Sequence, residues 1–333
     1  MPRLTLEDVG ALAGVSRSTV SRVINNESSV RPEVRARVEA VISQTGYAPN
    51  AAARSLASNR TGVIGLVIPS NVSYLFEDPY FARLIQGVTL GAKHVSRTLT
   101  LFLFESETEE RDVYPRVVES GFLDGVIVTA TRAGNSLMRK IAATDLPLVA
   151  IGRPGIEGVP YVDVDNRGGA FRAATFLRES GYQRCAFIGG PVNTSTGEDR
   201  LAGFIDGLAE HNAALPNELR AFGDFTEASG YEAMNELIQK SPDAVFAASD
   251  GMALGAMRCI LDAGLSVPHD IAVIGFDGFT AGAVSSPALT TLEQPVSVTG
   301  ATAVEMLQAL LQDPLKHADP VILPVELVQR ASA

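Results

Sequence analysis

The chain predicts a small all-α helix-turn-helix domain followed by a large α/β body, two doubly wound parallel-sheet subdomains in a hinged clamshell. Three observations carry this prediction. The first 48 residues hold three short stretches with helical apolar spacing. From residue 62 short, β-rich apolar runs alternate with helical patterns. Those runs are apolar on both faces, as parallel strands covered by helices on both sides require. A length of 333 residues suits two or three domains.

Thr5 is placed to cap a first helix whose first turn carries Glu7 and Asp8, with Leu6, Val9 and Ala13 at helical spacing and Gly14 to end it. Ser16 is a second cap, and Val20, Val23 and Ile24 form the inward face of helix two within "VSRSTVSRVINN", residues 15–26. Arg17, Ser18, Ser21 and Arg22 fall at i, i+1, i+4 and i+5 of that helix, on the side opposite the apolar stripe. The run contains no carboxylate. Pro32 opens a third helix, where Val34, Val38, Val41 and Ile42 repeat before Gly46 stops it. Two helices joined by a tight Gly-containing turn, the second with an acid-free polar face, match the arrangement that enters the DNA major groove. A solvated face of an ordinary three-helix bundle has the same spacing. The segment "NAAARSLA", residues 50–57, favours helix by composition but is too short to hold one alone in water.

In the body, "GVIGLVI", "LTLFLF", "GVIVTA", "PLVAIG", "CAFIGG", "AVFAAS" and "IAVIGF" read as strands separated by helices. The break between subdomains falls near "VPYVDVDN", residues 159–166, and "LTTLEQPV" and "VILPVELV" read as second and third crossings. Ligands of such sheets bind beyond the carboxyl ends of the strands. Asp250 and Asp277 each follow a strand, and Arg200 lies in "STGEDRLAGF". Carboxylates and a guanidinium hydrogen-bond sugar hydroxyls, and Tyr80, Phe81 and Phe225 are rings that can pack against a sugar. An Asp after a strand is equally the position of a helix N-cap, and Phe81 fits a core equally well.

Composition narrows the function. Hydrophobic residues make up 46% and charged residues 20%, a globular balance without disorder bias. The net charge is −11 but uneven: residues 1–60 carry eight Arg and no Lys against five acids, a net of +3, which leaves −14 for the rest. An acidic body repels a polyanion, so nucleic-acid contact is expected at the head alone. Cys185 and Cys259 suit buried free thiols rather than a disulfide framework, and four scattered histidines give no metal-ligand spacing. Neither a metal nor a cofactor is expected. No signal peptide is apparent and no segment reaches about 18 uninterrupted apolar residues, which implies a cytoplasmic protein.

The order of motifs carries a further reading. "LTLEDVGALAGVSRSTVSRVINN" and "GYAPNAAARSLASNRTGVIGLVIP" are followed by "DGVIV", "VDVDN", "FIGGP", "STGEDRLAGF", "GDFTEASGYEAM", "MALGAMR", "VIGFD", "LTTLEQPV" and "VELVQR". This series resembles the LacI/GalR family of bacterial transcription regulators over essentially the whole chain. The resemblance implies a DNA-binding domain at 1–48, a hinge helix and linker at 49–61, and an effector-binding and dimerisation domain at 62–333. In the last, the N-subdomain spans about 62–160 and 294–321 and the C-subdomain about 161–293 and 322–333.

By the same resemblance Arg17, Ser18 and Arg22 read bases, while Thr5, Ser16, Thr19, Ser21, Asn25 and Tyr47 hold phosphates. Asn50, Ala53 and Leu56 belong to a minor-groove hinge, with Leu56 wedged between base steps. A frayed linker with Leu56 docked on the body is the alternative. Tyr80, Phe81, Arg153, Arg200, Phe225, Asp250, Asp277 and Gln294 contact the effector. The implied partners are palindromic operator DNA, a small sugar or glycoside, and a second copy of the chain met partly through "FARLIQGVTLGAKHV", residues 81–95. The implied function is a repressor of carbohydrate-utilisation genes.

Departures from the family pattern leave the effector open: Ser249 where Asn is frequent, Gly152 before Arg153 and Gly278 after Asp277 where Asp is frequent, and a long "SYLFEDPYF" loop. Two other functions fit the same cleft. One is a sugar-acting enzyme with Asp250 and Asp277 as acid and base; the other is a pure sugar-binding protein. No nucleophile elbow, phosphate loop or metal spacing accompanies the acids, and the basic head serves neither alternative.

Overall fold

The computed structural model describes residues 4–24, 27–47, 60–69, 72–129, 136–313 and 319–333. Asn25, Asn50, Ala53 and Leu56 lie outside them, as does nearly all of the expected hinge. Contacts divide the chain into one unit up to Gly62 and another from Val63.

The head is built of α1 (Leu6–Ala13), α2 (Arg17–Ile24) and α3 (Pro32–Thr45). A reciprocal cap starts α1: the Thr5 hydroxyl oxygen accepts the Asp8 N–H at 3.3 Å, and Asp8 Oδ2 accepts the Thr5 N–H at 2.8 Å. Gly14, at φ +66°, ends the helix in the left-handed region that a residue with a Cβ avoids. Val9, Ala13, Val20, Val23, Val38 and Tyr47 form the small core between the three helices.

The body holds two six-stranded sheets. In the first the order is β2 (Thr98–Leu103), β1 (Val63–Ile68), β3 (Gly125–Thr129), β4 (Leu148–Ile151), β5 (Tyr161–Val164) and β11 (Val321–Leu323), all parallel. Helices α5 (Pro79–His94) and α13 (Val296–Gln312) cover one face; α6 (Glu107–Val118) and α7 (Ser136–Ala142) cover the other. A short α4 (Val72–Glu77) precedes α5. In the second sheet the order is β7 (Arg220–Phe222), β6 (Cys185–Gly189), β8 (Ala244–Ala247), β9 (Ala272–Asp277), β10 (Thr290–Glu293) and β12 (Glu326–Val328), with only β12 antiparallel. Its helices are α8 (Asn166–Glu179), α9 (Ser195–Glu210), α10 (Glu227–Leu237), α11 (Asp250–Asp262) and α12 (Thr280–Val284).

The chain passes between the sheets three times: from β5 to α8, from β10 to α13, and from β11 to β12. In each sheet the first strand lies between the second and third. The winding therefore reverses there, and the carboxyl ends of the strands open a crevice at that point. Stacked and tilted rings of Phe187, Phe204 and Phe246, with centroids 5.2–5.7 Å apart, fill the second core beneath it.

Helices α8 and α9 touch backbone to backbone. A Cβ on Gly203 would lie 2.0 Å from the carbonyl oxygen of Arg167. Gly203→Ala is expected to push the helices apart at a cost of about 1–3 kcal/mol, read as a lowered Tm in a thermal melt; an unchanged Tm would show that the pair can slide freely.

Candidate DNA interface and effector site

In the head, α2 presents a polar N-terminus. Ser16 Oγ shares hydrogen bonds with Ser18 Oγ at 2.8 Å and Thr19 Oγ1 at 2.9 Å, and it accepts the Thr19 N–H at 3.3 Å. Hydroxyls gathered at the positive end of a helix form a ready anion site. Arg17 and Arg22 project from the same helix with side chains 65% and 57% exposed, and Ser18 and Ser21 are exposed and half-buried. Carboxylates reach this face from outside the run: Glu7 of α1 pairs with Arg17 at 3.0 Å, and Glu27 lies 3.9 Å from Arg22. Such exposed pairs are worth little and exchange readily for phosphate or base contacts. Thr5 and Tyr47 are already engaged in the head itself. The first closes the α1 cap, and the Tyr47 ring is part of the core.

The body gathers a second set of residues at the crevice. Arg200, on α9, is 4% exposed. Its Nε donates to Asn166 Oδ1 at 2.8 Å and its Nη1 to the Ala248 carbonyl at 2.5 Å. The guanidinium carbon lies over the Phe276 ring, 3.5 Å from its centroid. Asp277 Oδ1 is 3.9 Å from Nη1, and no described residue partners Nη2. Desolvation pulls the Arg200 pKa down, while Asp277 and Asp163 hold it up.

Asp277 ends β9 at φ +129°, a strained conformation for a residue with a side chain. Gln294 Nε2 donates to its Oδ1 at 2.5 Å, and the Asp250 N–H donates to its Oδ2 at 3.3 Å. Burial drives its carboxyl well above the usual range, with Arg200 opposing. Gly278 follows at φ +76°, and a Cβ there would lie 2.5 Å from the Glu293 side chain.

Tyr80 enters from α5, whose Asp78 cap accepts the Tyr80 N–H at 2.9 Å. Burial, then the charges of Asp163 and Asp78, raise its phenol far above normal, so it remains a neutral hydrogen-bonding group. Arg153 follows β4. Its N–H donates to Asp163 Oδ2 at 3.0 Å, and its guanidinium is bidentate on Asp199 of α9, at 2.8 and 3.3 Å. Phe225, at φ +74°, lays its ring over Gly190 at the end of β6.

Two expected effector contacts are engaged within the protein itself. Phe81 is 4% exposed and packs with Leu84 and Val88 in the core, because those residues share its face of α5. Asp250 is 1% exposed, and both its oxygens are taken by the protein: Oδ1 by the Thr291 hydroxyl at 2.5 Å and Oδ2 by the Phe279 N–H at 2.7 Å. It does not cap α11 either; Ser249 does, its Oγ accepting the Met252 N–H at 3.1 Å. Asp250 braces the turn that carries Asp277.

Asp163 and Asn166 of "VDVDN" join this cluster beyond the residues the sequence singles out: Asn166 Nδ2 donates to Asp163 Oδ1 at 3.0 Å, and acids and an amide at a strand end are the local signal for such a site. Thr129, at the carboxyl end of β3, is a further addition: it is 2% exposed, and its hydroxyl has no partner among the described residues.

Comparison with known proteins decides the family. Residues 5–50 match the model of bacterial regulatory proteins of the lacI family, and residues 174–333 match a periplasmic binding protein-like domain. The transcriptional regulator CelR of Thermobifida fusca is 36% identical over 335 residues, covering 99% of this chain and 98% of that protein. The chain belongs to the LacI family of bacterial transcription regulators. The PurR repressor of Klebsiella pneumoniae is 34% identical over 98% of this chain and 96% of its own length. A structure of the CelR–cellobiose complex superposes with a TM-score of 0.80 at 34% identity, covering 99% of this chain and 100% of that one. The lac repressor dimer bound to operator and an anti-inducer superposes with a TM-score of 0.87 at 27% identity, covering 99% of each chain. This LacI-family protein is a DNA-binding transcriptional repressor, with the helix-turn-helix head and two-sheet body of its relatives. Among the described residues no helix is long and apolar enough to cross a membrane.

Proposed function

We propose that this repressor controls carbohydrate-utilisation genes by binding a palindromic operator as a homodimer and is regulated by a small sugar, with cellobiose the first candidate. The observation that carries the reading is the open Nη2 of Arg200 beside Asp277 and Tyr80. A planar donor next to buried acceptors suits a pair of adjacent hydroxyls. A relative of 34% identity solved with cellobiose supports the same ligand class. The internal bonds of Asp250 weigh against an acid–base pair with Asp277 and so against glycoside hydrolysis.

In this reading Arg17, Ser18 and Arg22 read bases, and Ser16, Thr19 and Ser21 hold phosphates. Asn25, Asn50, Ala53 and Leu56 keep the operator roles stated above. Leu90 of α5 and Leu101 of the edge strand β2, 58% and 39% exposed, are proposed as part of the dimer contact.

Cellobiose at about 100 times its Kd is expected to stabilise the protein by about 2.7 kcal/mol, visible as a raised Tm. It is also expected to change operator affinity in an anisotropy titration. A panel of disaccharides that moves neither quantity would overturn the sugar assignment, and sedimentation as a monomer would overturn the dimer.

A further inference from the structure

Arg83 belongs to none of the expected effector contacts, yet it joins the two halves of the body. It lies three positions after Tyr80 on α5, which packs on the first sheet. Its guanidinium carbon sits 4.9 Å from the centroid of the Phe279 ring, and its Nη1 donates to the Gly278 carbonyl at 3.3 Å. Both partners belong to the turn after β9 of the second sheet. The Arg83 carbonyl in turn accepts the Ser297 hydroxyl at 3.2 Å, which fastens that point of α5 to the start of α13.

The turn it reaches is the strained one. Asp277 and Gly278 both have positive φ, and Phe279 is 5% exposed with its N–H on Asp250. Asp250 holds the turn from its own side, Gln294 from the crossing after β10, and Arg83 from the opposite lobe. A cation over an aromatic face, with a directed bond to the adjacent carbonyl, restricts both the position of the turn and the separation of the lobes.

We propose that Arg83 is a positioning residue of the effector response: by gripping the Gly278–Phe279 turn across the crevice it presets Asp277 and biases the two lobes toward their closed arrangement. It does so without needing to touch the effector. A contact present only in the closed arrangement raises that population, and a ligand that binds the closed form then binds more tightly.

Two measurements test this, with far-UV circular dichroism to check that each variant is folded. The first rests on the sugar reading above. Arg83→Met is expected to weaken cellobiose binding about tenfold by calorimetry, and Arg83→Lys, which keeps a charge over the ring, to recover part of the loss. Phe279→Leu is expected to cause a similar loss, and the double variant no more than either alone, because both act through one contact. An unchanged Kd in Arg83→Met, or additive losses, would overturn the proposal.

The second measurement needs no ligand. Asp112 on α6 and Glu232 on α10 are exposed, whereas Cys185 and Cys259 are buried. Spin labels at Asp112→Cys and Glu232→Cys, in chains diluted with unlabelled protein, therefore report the distance between lobes. Arg83→Met is expected to shift that distribution to longer and broader distances. An identical distribution would overturn the strap even if another ligand replaced cellobiose, and a shifted distribution without sugar binding would overturn the sugar assignment alone.

Discussion

Arg200→Lys is expected to abolish the effector response while operator binding persists. The guanidinium meets four demands at once: a bond to Asn166, a bond to the Ala248 carbonyl, a cation–π contact over Phe276, and an N–H left unpartnered among the described residues. An ammonium has no plane to stack and no fork to divide between fixed acceptors. Lysine therefore leaves buried acceptors unmatched and offers the ligand a single, differently placed donor. A loss of about 3 kcal/mol or more in effector binding is expected, from one or two charge-assisted hydrogen bonds, equivalent to more than about a hundredfold in Kd. The measurement is operator release against effector concentration. A variant that still responds at the wild-type concentration would move the anchor away from Arg200.

Arg22→Ala is expected to weaken operator binding by about 1–3 kcal/mol per half-site, doubled in a twofold-symmetric complex, and to relax preference at one base pair in each half. Arg22 is more than half exposed, and its nearest acid, Glu27, is 3.9 Å away, so little holds it back from a guanine edge. Anisotropy titrations on operator and on scrambled duplex separate the roles. Equal losses on both would make Arg22 a phosphate contact, with no part in reading sequence.

The local parts of this protein were legible in its residues. The Thr5 cap, the Gly14 and Gly46 stops and the valine spacing of the head specify helices through neighbours three or four positions away. The apolar runs of the body mark strands in the same way. That reach is what caps, turns and periodicity depend on. The site was legible only as a set of residue types at strand ends. Which side chains are used up inside the protein was decided by contacts over long separations: the two donors that close off Asp250 come from 29 and 41 positions along the chain. The face of α5 that buries Phe81 was decided by the sheet beneath it. The bond from Arg83 to Gly278 spans 195 positions. No local pattern encodes such a meeting, because it depends on how two separately wound sheets are set against each other by three crossings of the chain.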